Sequence, residues 1–558
     1  MNDDNSRRNL GVFRPQMGSI TLSVLVSLYI LFFTNWTFWA RVRTYLAAYP
    51  SALVAFHVAL IALTIAVLTA FSVRYLTKPL FIALVLTAAG TSWFTDRFGI
   101  VVDTDMIRNI ADTSSAEARH LITPSLLWHM VLFGVLPSAF ILWVRVVHRP
   151  FSRKVRTNLA MIAGCLLVFS VAWFSSSKVL VAAFRQHQDM MKTFVPAVPI
   201  GSAVKYAIDV SRPRLAVAPL GRDARVVKVS DPLTKPRITI IVAGETARAA
   251  NHSLFGYNRE TTPAMAAQKP MVLKNTSSCG TSTAVSLPCM FSDLTRAGYS
   301  YRGGLAKENL LDVLDHAGVK VTWLDNDMGS KDVANRADYH DIRAKGDPRY
   351  CDKGECLDEI FLDRVDQWLA SVKTDSVLVL HIMGSHGPAY SMRYPDKFRR
   401  FQPDCRTGEL GDCTQAQIIN AYDNTILYTD FILSSIVDRL KGRGRQFATS
   451  LLYMSDHGES LGEYGMYLHA APYMVAPSTQ THVPFMVWMD QDFSQSMGLN
   501  ETCLRQTADQ PRSQDYLFHS VLSMMNVVTS AYKPDLDVFA SCRLDKLRAA
   551  PQAVIASR

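Results

Sequence analysis

Two regimes of hydrophobic patterning divide the 558-residue chain. Between residues 15 and 177, charge-free or nearly charge-free apolar runs follow one another, whereas beyond them the apolar runs are short and broken by polar stretches, Gly and Pro. Five early runs, Pro15–Ala40, Ala52–Val73, Pro79–Thr95, Leu121–Val144 and Thr157–Ser177, approach or exceed the about 17–25 residues that cross a bilayer as a helix. The first is too long for a cleaved signal peptide, lacks a small-x-small cleavage site and is followed by four more. Residues 1–177 therefore read as a five-helix transmembrane bundle, with residues 96–120 as a polar loop between spans three and four.

Residues 178–234 alternate apolar and basic positions and are interrupted by Pro196, Pro199, Pro213 and Pro219, the pattern of an amphipathic connector along a membrane surface. From residue 235 to 558 the pattern is that of an α/β domain. Short apolar runs at Ile238–Ala243, Val319–Leu324, Ser376–Met383, Ser450–Met454 and Val483–Met489 alternate with helical stretches at Lys307–His316, Leu357–Ser371 and Ile418–Leu440. Continuous apolar strands of this kind predict a mostly parallel sheet covered on both faces. Ligands gather beyond the strand carboxyl ends in such sheets. There the sequence carries Glu245 after the first strand, His381 and His386 at the third, and Asp456 with His457 after the fourth.

Charge and cysteine content add a compartment. Arg7, Arg8, Arg74, Lys78, Arg145, Arg149, Arg153, Lys154 and Arg156 lie on one side if the N-terminus is cytoplasmic, outweighing Arg41 and Arg43. An odd number of spans then exports everything after Ser177. Of nine cysteines, Cys165 falls in a span and the other eight fall in the exported part, where disulfides persist. Close spacing pairs Cys279 with Cys289, Cys351 with Cys356 and Cys405 with Cys413, which leaves Cys503 with Cys542. The formal net charge of +10 is not concentrated on a basic helix or an aromatic-basic stripe, so nucleic acid is not the expected partner. An anionic lipid surface is.

Carboxylates and imidazoles at three strand ends suit zinc. The segment Cys279-Gly-Thr-Ser-Thr283-Ala-Val-Ser-Leu-Pro-Cys289 reads as a turn entering a helix, where backbone N–H groups attract a phosphate. Thr281, Ser282 and Thr283 each offer a hydroxyl there, and spacing does not choose among them. A threonine hydroxyl needs a base or a cation to attack phosphorus. In the polar loop, Asn109, Thr113 and Glu117 recur every four residues, which predicts a shared helical face.

The succession Gly-Glu245-Thr-Ala-Arg, Cys279-Gly-Thr-Ser-Thr283, Ser-His386-Gly-Pro and Ser-Asp456-His457-Gly-Glu-Ser-Leu-Gly-Glu with Tyr-Leu-His469 resembles the lipid A phosphoethanolamine transferases of the alkaline phosphatase and sulfatase superfamily. The resemblance implies that Glu245, Thr283, Asp456 and His457 bind a catalytic zinc and that Thr283 carries a phosphoethanolamine intermediate. It also implies that His386 and His469 bind the transferred group or a second zinc, one of them protonating the departing diacylglycerol. Lys331 would contact the substrate phosphate, with His381 a further candidate for substrate contact, and Asn109, Thr113 and Glu117 would complete the donor site. Asp327 and Met328 are less typical of their segment, and a negative charge at Asp327 would disfavour an anionic acceptor.

The expected protein is then a monomeric multi-pass enzyme of the bacterial inner membrane with a periplasmic catalytic domain. It would move phosphoethanolamine from phosphatidylethanolamine to lipid A, lowering surface charge and the attraction for polymyxins and other cationic peptides. Transfer to Kdo or heptose of the lipopolysaccharide core, a periplasmic phosphoglycerol transferase or hydrolase, and an inactive membrane-anchored sensor are the alternatives.

Overall fold

A computed structural model describes residues 14–543 except 114, 188, 214, 228–234 and 345; the side chains of residues 116 and 117 also lie outside the description. The chain packs as two units, one of residues 1–103 and 124–204 and the other of residues 104–123 and 205–558.

In the first unit, Pro50–Ala70, Thr77–Phe98, Pro124–Trp143 and Phe151–Ser175 are each long and apolar enough to cross a membrane. The run expected as one span from Pro15 to Ala40 is instead two helices, Ser19–Phe33 and Trp36–Tyr45, bent by 69°. Asn35 explains the break. Its amide donates to the carbonyls of Ile30 at 2.9 Å and Val195 at 2.8 Å and accepts from the Val195 N–H at 3.0 Å. A buried side chain thus takes over backbone groups that an unbroken helix would have paired within itself. Counting the bent pair as one span gives five. The expected connector contains two helices, Ser177–Gln186 and Ala197–Ser211, and its residues 228–234 lie outside the described residues.

The second unit is built on a mixed seven-stranded sheet. In chain order its strands are β1 (Arg237–Gly244), β2 (Met271–Val272), β3 (Lys320–Asp325), β4 (Asp338–Asp341), β5 (Ser376–His381), β6 (Ala448–Ser455) and β7 (Phe485–Met489). Across the sheet the order is β2-β7-β6-β1-β5-β3-β4. The pairings from β6 to β4 are parallel, and β7 and β2 join antiparallel at one edge. Every residue of β1, β5 and β6 is buried, which is why these strands read as unbroken apolar runs. The sheet's aliphatic face merges with Leu310, Leu314, Phe485, Phe518 and Leu522 into one hydrophobic cluster.

Register decides what the strands deliver. Ser455 pairs with Gly244, Ala243 with His381, and His381 with Asp325. The carboxyl ends of β6, β1, β5 and β3 therefore lie side by side, and Asp456, Glu245, His381 and Asp325 emerge as neighbours. Disulfides join Cys279 to Cys289, Cys351 to Cys356, Cys405 to Cys413 and Cys503 to Cys542, while Cys165 is a free, buried thiol.

Candidate active site and metal centre

The helix Thr283–Met290 begins at the strand ends with Ser282 as its N-cap residue. Local bonds separate the three hydroxyls that the sequence leaves equivalent. Thr281 donates its hydroxyl to the Ala471 carbonyl at 2.6 Å, and Ser282 makes no capping bond. Thr283 Oγ1 lies 3.2 and 3.1 Å from the two carboxylate oxygens of Glu245 and 3.3 Å from His457 Nε2. Of the three, only Thr283 carries its hydroxyl into the cluster of carboxylate and imidazole groups. The loop before it is tied down by Gln514, whose Oε1 accepts from the Cys279 N–H at 2.7 Å while its amide donates to the Ser455 and Asp456 carbonyls at 2.7 and 2.6 Å. Gln514 lies more than 200 residues from Cys279, so only the fold couples them, and sequence reading misses it.

Glu245, Asp456 and His457 place ligand atoms within 4.8 Å of one another, all buried. Asp456 Oδ1 accepts the N–H groups of Thr246 and His457 at 3.1 and 2.6 Å. Its Oδ2 has no hydrogen-bond partner among the described residues and lies 3.2 Å from His457 Nε2. His457 Nδ1 lies 2.9 Å from the Gly458 carbonyl, so the proton sits on Nδ1 and Nε2 presents its lone pair. A buried oxygen without a donor and an imidazole in the ligating tautomer suit a metal ion. Gly384 lets the chain pass close by, for at its φ of +51° a Cβ would stand 2.7 Å from the Glu245 carbonyl oxygen.

Burial dominates the electrostatics. It pushes the Glu245 carboxyl well above its usual value, reinforced by the negative charge of Asp456, and lowers His457 to about 4. Burial likewise takes His386 well below the ordinary imidazole range, helped by His469. The His386 and His469 rings lie 5.7 Å apart, with His469 4.5 Å from His457 between centroids. His381 points instead toward the other side of Glu245. Its Nε2 lies 4.0 Å from Glu245 Oε2 and 3.5 Å from Asp327 Oδ2.

The loop segment differs from its expected form. It is helical over Thr104–Asp112 and again over Ser115–Leu121, so Asn109, Thr113 and Glu117 do not share one continuous helical face. Thr113 donates its hydroxyl to the Asn109 carbonyl at 2.8 Å, and buried Asn109 Oδ1 has no partner among the described residues. The Glu117 side chain lies outside the description. Among the described side chains of the segment, Asp112 is an acidic contact to Lys331, 3.6 Å from Nζ. Lys331 also donates to the Met328 carbonyl at 3.1 Å. Arg108 stacks on Tyr301 at 3.9 Å and His120 pairs with Glu355 at 3.1 Å.

The chain matches two family profiles, "Phosphoethanolamine transferase EptA/EptB" over residues 60–210 and "Sulfatase" over residues 237–527. Phosphoethanolamine transferase EptA of Escherichia coli K12 is 36% identical over 545 residues, covering 95% of this chain and 98% of the relative. Phosphatidylethanolamine transferase Mcr-1 of Escherichia coli is 36% identical over 450 residues, covering 79% and 83%. The solved structure of the integral membrane lipooligosaccharide phosphoethanolamine transferase A from Neisseria meningitidis matches with a TM-score of 0.91 at 36% identity, over 95% of this chain and all of that one. With a buried strand-end cluster around Thr283 and relatives matched over nearly its whole length, the chain belongs to the phosphoethanolamine transferase family.

Proposed function

We propose that this chain is a phosphoethanolamine transferase that moves the group from phosphatidylethanolamine to a phosphate of lipid A by way of Thr283. The observation that carries the reading is the Thr283 hydroxyl within 3.3 Å of both Glu245 oxygens and of His457 Nε2. The names of the relatives at 36% identity support the reaction class. Anchoring by five spans in the inner membrane, with the N-terminus cytoplasmic and the catalytic unit periplasmic, suits a donor and an acceptor that are both lipids.

Glu245, Asp456, His457 and Thr283 Oγ1 would hold the zinc, which when bound supplies positive charge beside the threonine hydroxyl and the phosphoryl group. Thr283 Oγ1 passes its proton to a Glu245 oxygen and attacks the donor phosphorus, forming a P–O bond to the threonine as the P–O bond to diacylglycerol breaks. The leaving oxygen needs a proton, which His386 or His469 would supply. An oxygen of a lipid A phosphate then attacks the same phosphorus, the P–O bond to Thr283 breaks, and Glu245 returns the proton to Oγ1. Lys331, Asn109, Thr113, Glu117 and His381 are the candidate contacts to the donor. The product carries an added amine at each modified phosphate, which lowers surface negative charge and the attraction for polymyxins.

Mass spectrometry of lipid A from cells expressing the chain or its Thr283→Ala variant tests the reading. Lipid A gains the mass of phosphoethanolamine with the parent and not with the variant. Unchanged lipid A with modified core sugars would move the acceptor to Kdo or heptose.

A further inference from the structure

The transfer chemistry accounts for one side of Glu245. On the other side, Asp327 and His381 are completely buried, and neither Asp327 oxygen nor His381 Nε2 has a hydrogen-bond partner among the described residues. Together with a Glu245 oxygen they form a second group of three ligand atoms within 4.8 Å of one another. We infer that Glu245, Asp327 and His381 form a second divalent-cation site, back to back with the catalytic one and sharing the Glu245 carboxylate.

Spacing is the first argument. His381 Nε2 stands 3.5 Å from Asp327 Oδ2 and 4.0 Å from Glu245 Oε2, beyond the about 2.7–3.2 Å of an N–H···O bond. Ligands held about 2.0–2.2 Å from a tetrahedral ion stand roughly 3.4 Å apart. The three groups are therefore too far apart to satisfy one another and close to the separation at which a shared ion satisfies all of them.

Orientation is the second argument. His381 Nδ1 lies 3.1 Å from Asp325 Oδ2, and that carboxylate is itself fixed by Trp323 Nε1 at 2.9 Å and by the N–H groups of Asp327 and Gly329, each at 3.0 Å. A carboxylate that holds one imidazole nitrogen and leaves the other facing a carboxylate pair is the outer-sphere arrangement of histidine ligands. Asp325 has four donors and needs no ion, whereas the Asp327 oxygens meet no donor at hydrogen-bond geometry among the described residues.

Charge is the third argument. Glu245, Asp325, Asp327 and Asp456 are all fully buried at adjacent strand ends, and one zinc ion at Asp456 and His457 offsets only two of them. Of the nearby cationic side chains, Lys331 is engaged with the Met328 carbonyl and Asp112, and Arg343 is paired with Asp341. A buried carboxylate without donors is costly, and a second dication removes that cost while fixing the position of Glu245. Two carboxylates and one imidazole suit zinc or manganese. Asp327 and His381 on this account serve the cation, so Asp327 does not repel the acceptor and His381 does not contact the donor.

The test uses full-length protein in detergent, stripped with a chelator, dialysed against zinc chloride and assayed for bound zinc. Asp327→Asn and His381→Gln should each bind one equivalent less than the parent, and Asp456→Asn should still bind at the second site. Zinc should raise the melting temperature of the parent more than that of Asp327→Asn, and the metal-free variant should melt no lower than the metal-free parent. Anomalous diffraction at the zinc edge on unaltered protein provides the check that needs no variant, with a peak between Asp327 and His381. Equal zinc content and equal melting shifts in parent and Asp327→Asn, or anomalous density at Asp456 and His457 alone in saturating zinc, would overturn the second site. Such results would leave the Thr283 reading standing, because that reading depends on Asp456 and His457.

Discussion

The strand ends of the sheet and the Thr104–Thr123 segment both contribute groups to the catalytic unit, but by opposite means. At the strand ends, Glu245, Asp456, His457 and Thr283 are at most 1% exposed, and parallel register with backbone N–H bonds sets their positions before any substrate arrives. The segment holds two short helices, Thr104–Asp112 and Ser115–Leu121, attached through Arg108 on Tyr301, Asp112 near Lys331 and His120 with Glu355. Asp112 is partly exposed, which weakens its pairing with Lys331. On the proposed reading, the buried centre makes the bonds and the segment meets the headgroup. Chemistry tolerates little misplacement, whereas recognition of a flexible lipid headgroup benefits from a segment that adjusts.

Variants should separate the two regions by the size and kind of their effect. Thr283→Ala should lower transfer at least on the order of 10³-fold, since the nucleophile itself is removed. Its melting temperature should stay near that of the parent, because only a hydroxyl and a methyl are lost. Asp456→Asn should lose both transfer and the zinc held by His457 and Glu245, read as metal content per chain after dialysis. Lys331→Met should act more mildly, weakening transfer roughly 10- to 150-fold, the range of one charge-assisted hydrogen bond of about 1.5–3 kcal/mol. Most of that loss should appear in the KM for the lipid donor. Glu117→Ala should have the smallest effect, about severalfold in transfer, with zinc content unchanged. A Glu117 variant as inactive as Thr283→Ala would erase the distinction between the two regions, and a fully active one would remove the segment from donor recognition.

The sequence displays the rigid region far better than the adjustable one, and the reason is physical. Strands buried on both faces must be continuously apolar, so β1, β5 and β6 are visible as runs, and the polar residues that end them stand out. Which hydroxyl faces Glu245 is not visible, because it depends on Thr281 bonding to Ala471, a residue far along the chain. Gln514 is hidden for the same reason. The partnership of Asp327 with His381 needs the register of β3 against β5, which no spacing rule supplies. Period-four patterning fails at Thr113, where the helix stops after Asp112. It fails again at Asn35, whose amide takes up carbonyls from two parts of the chain inside an apolar run that otherwise reads as one span.

The most direct test of the central claim is peptide mass spectrometry of the purified full-length protein after incubation with zinc and phosphatidylethanolamine in the absence of lipid A. The account predicts a phosphoethanolamine adduct on the peptide that spans Cys279–Cys289, localised to Thr283 and discharged when lipid A is added. An adduct on Thr281 or Ser282, or turnover with no adduct at any time point, would contradict it.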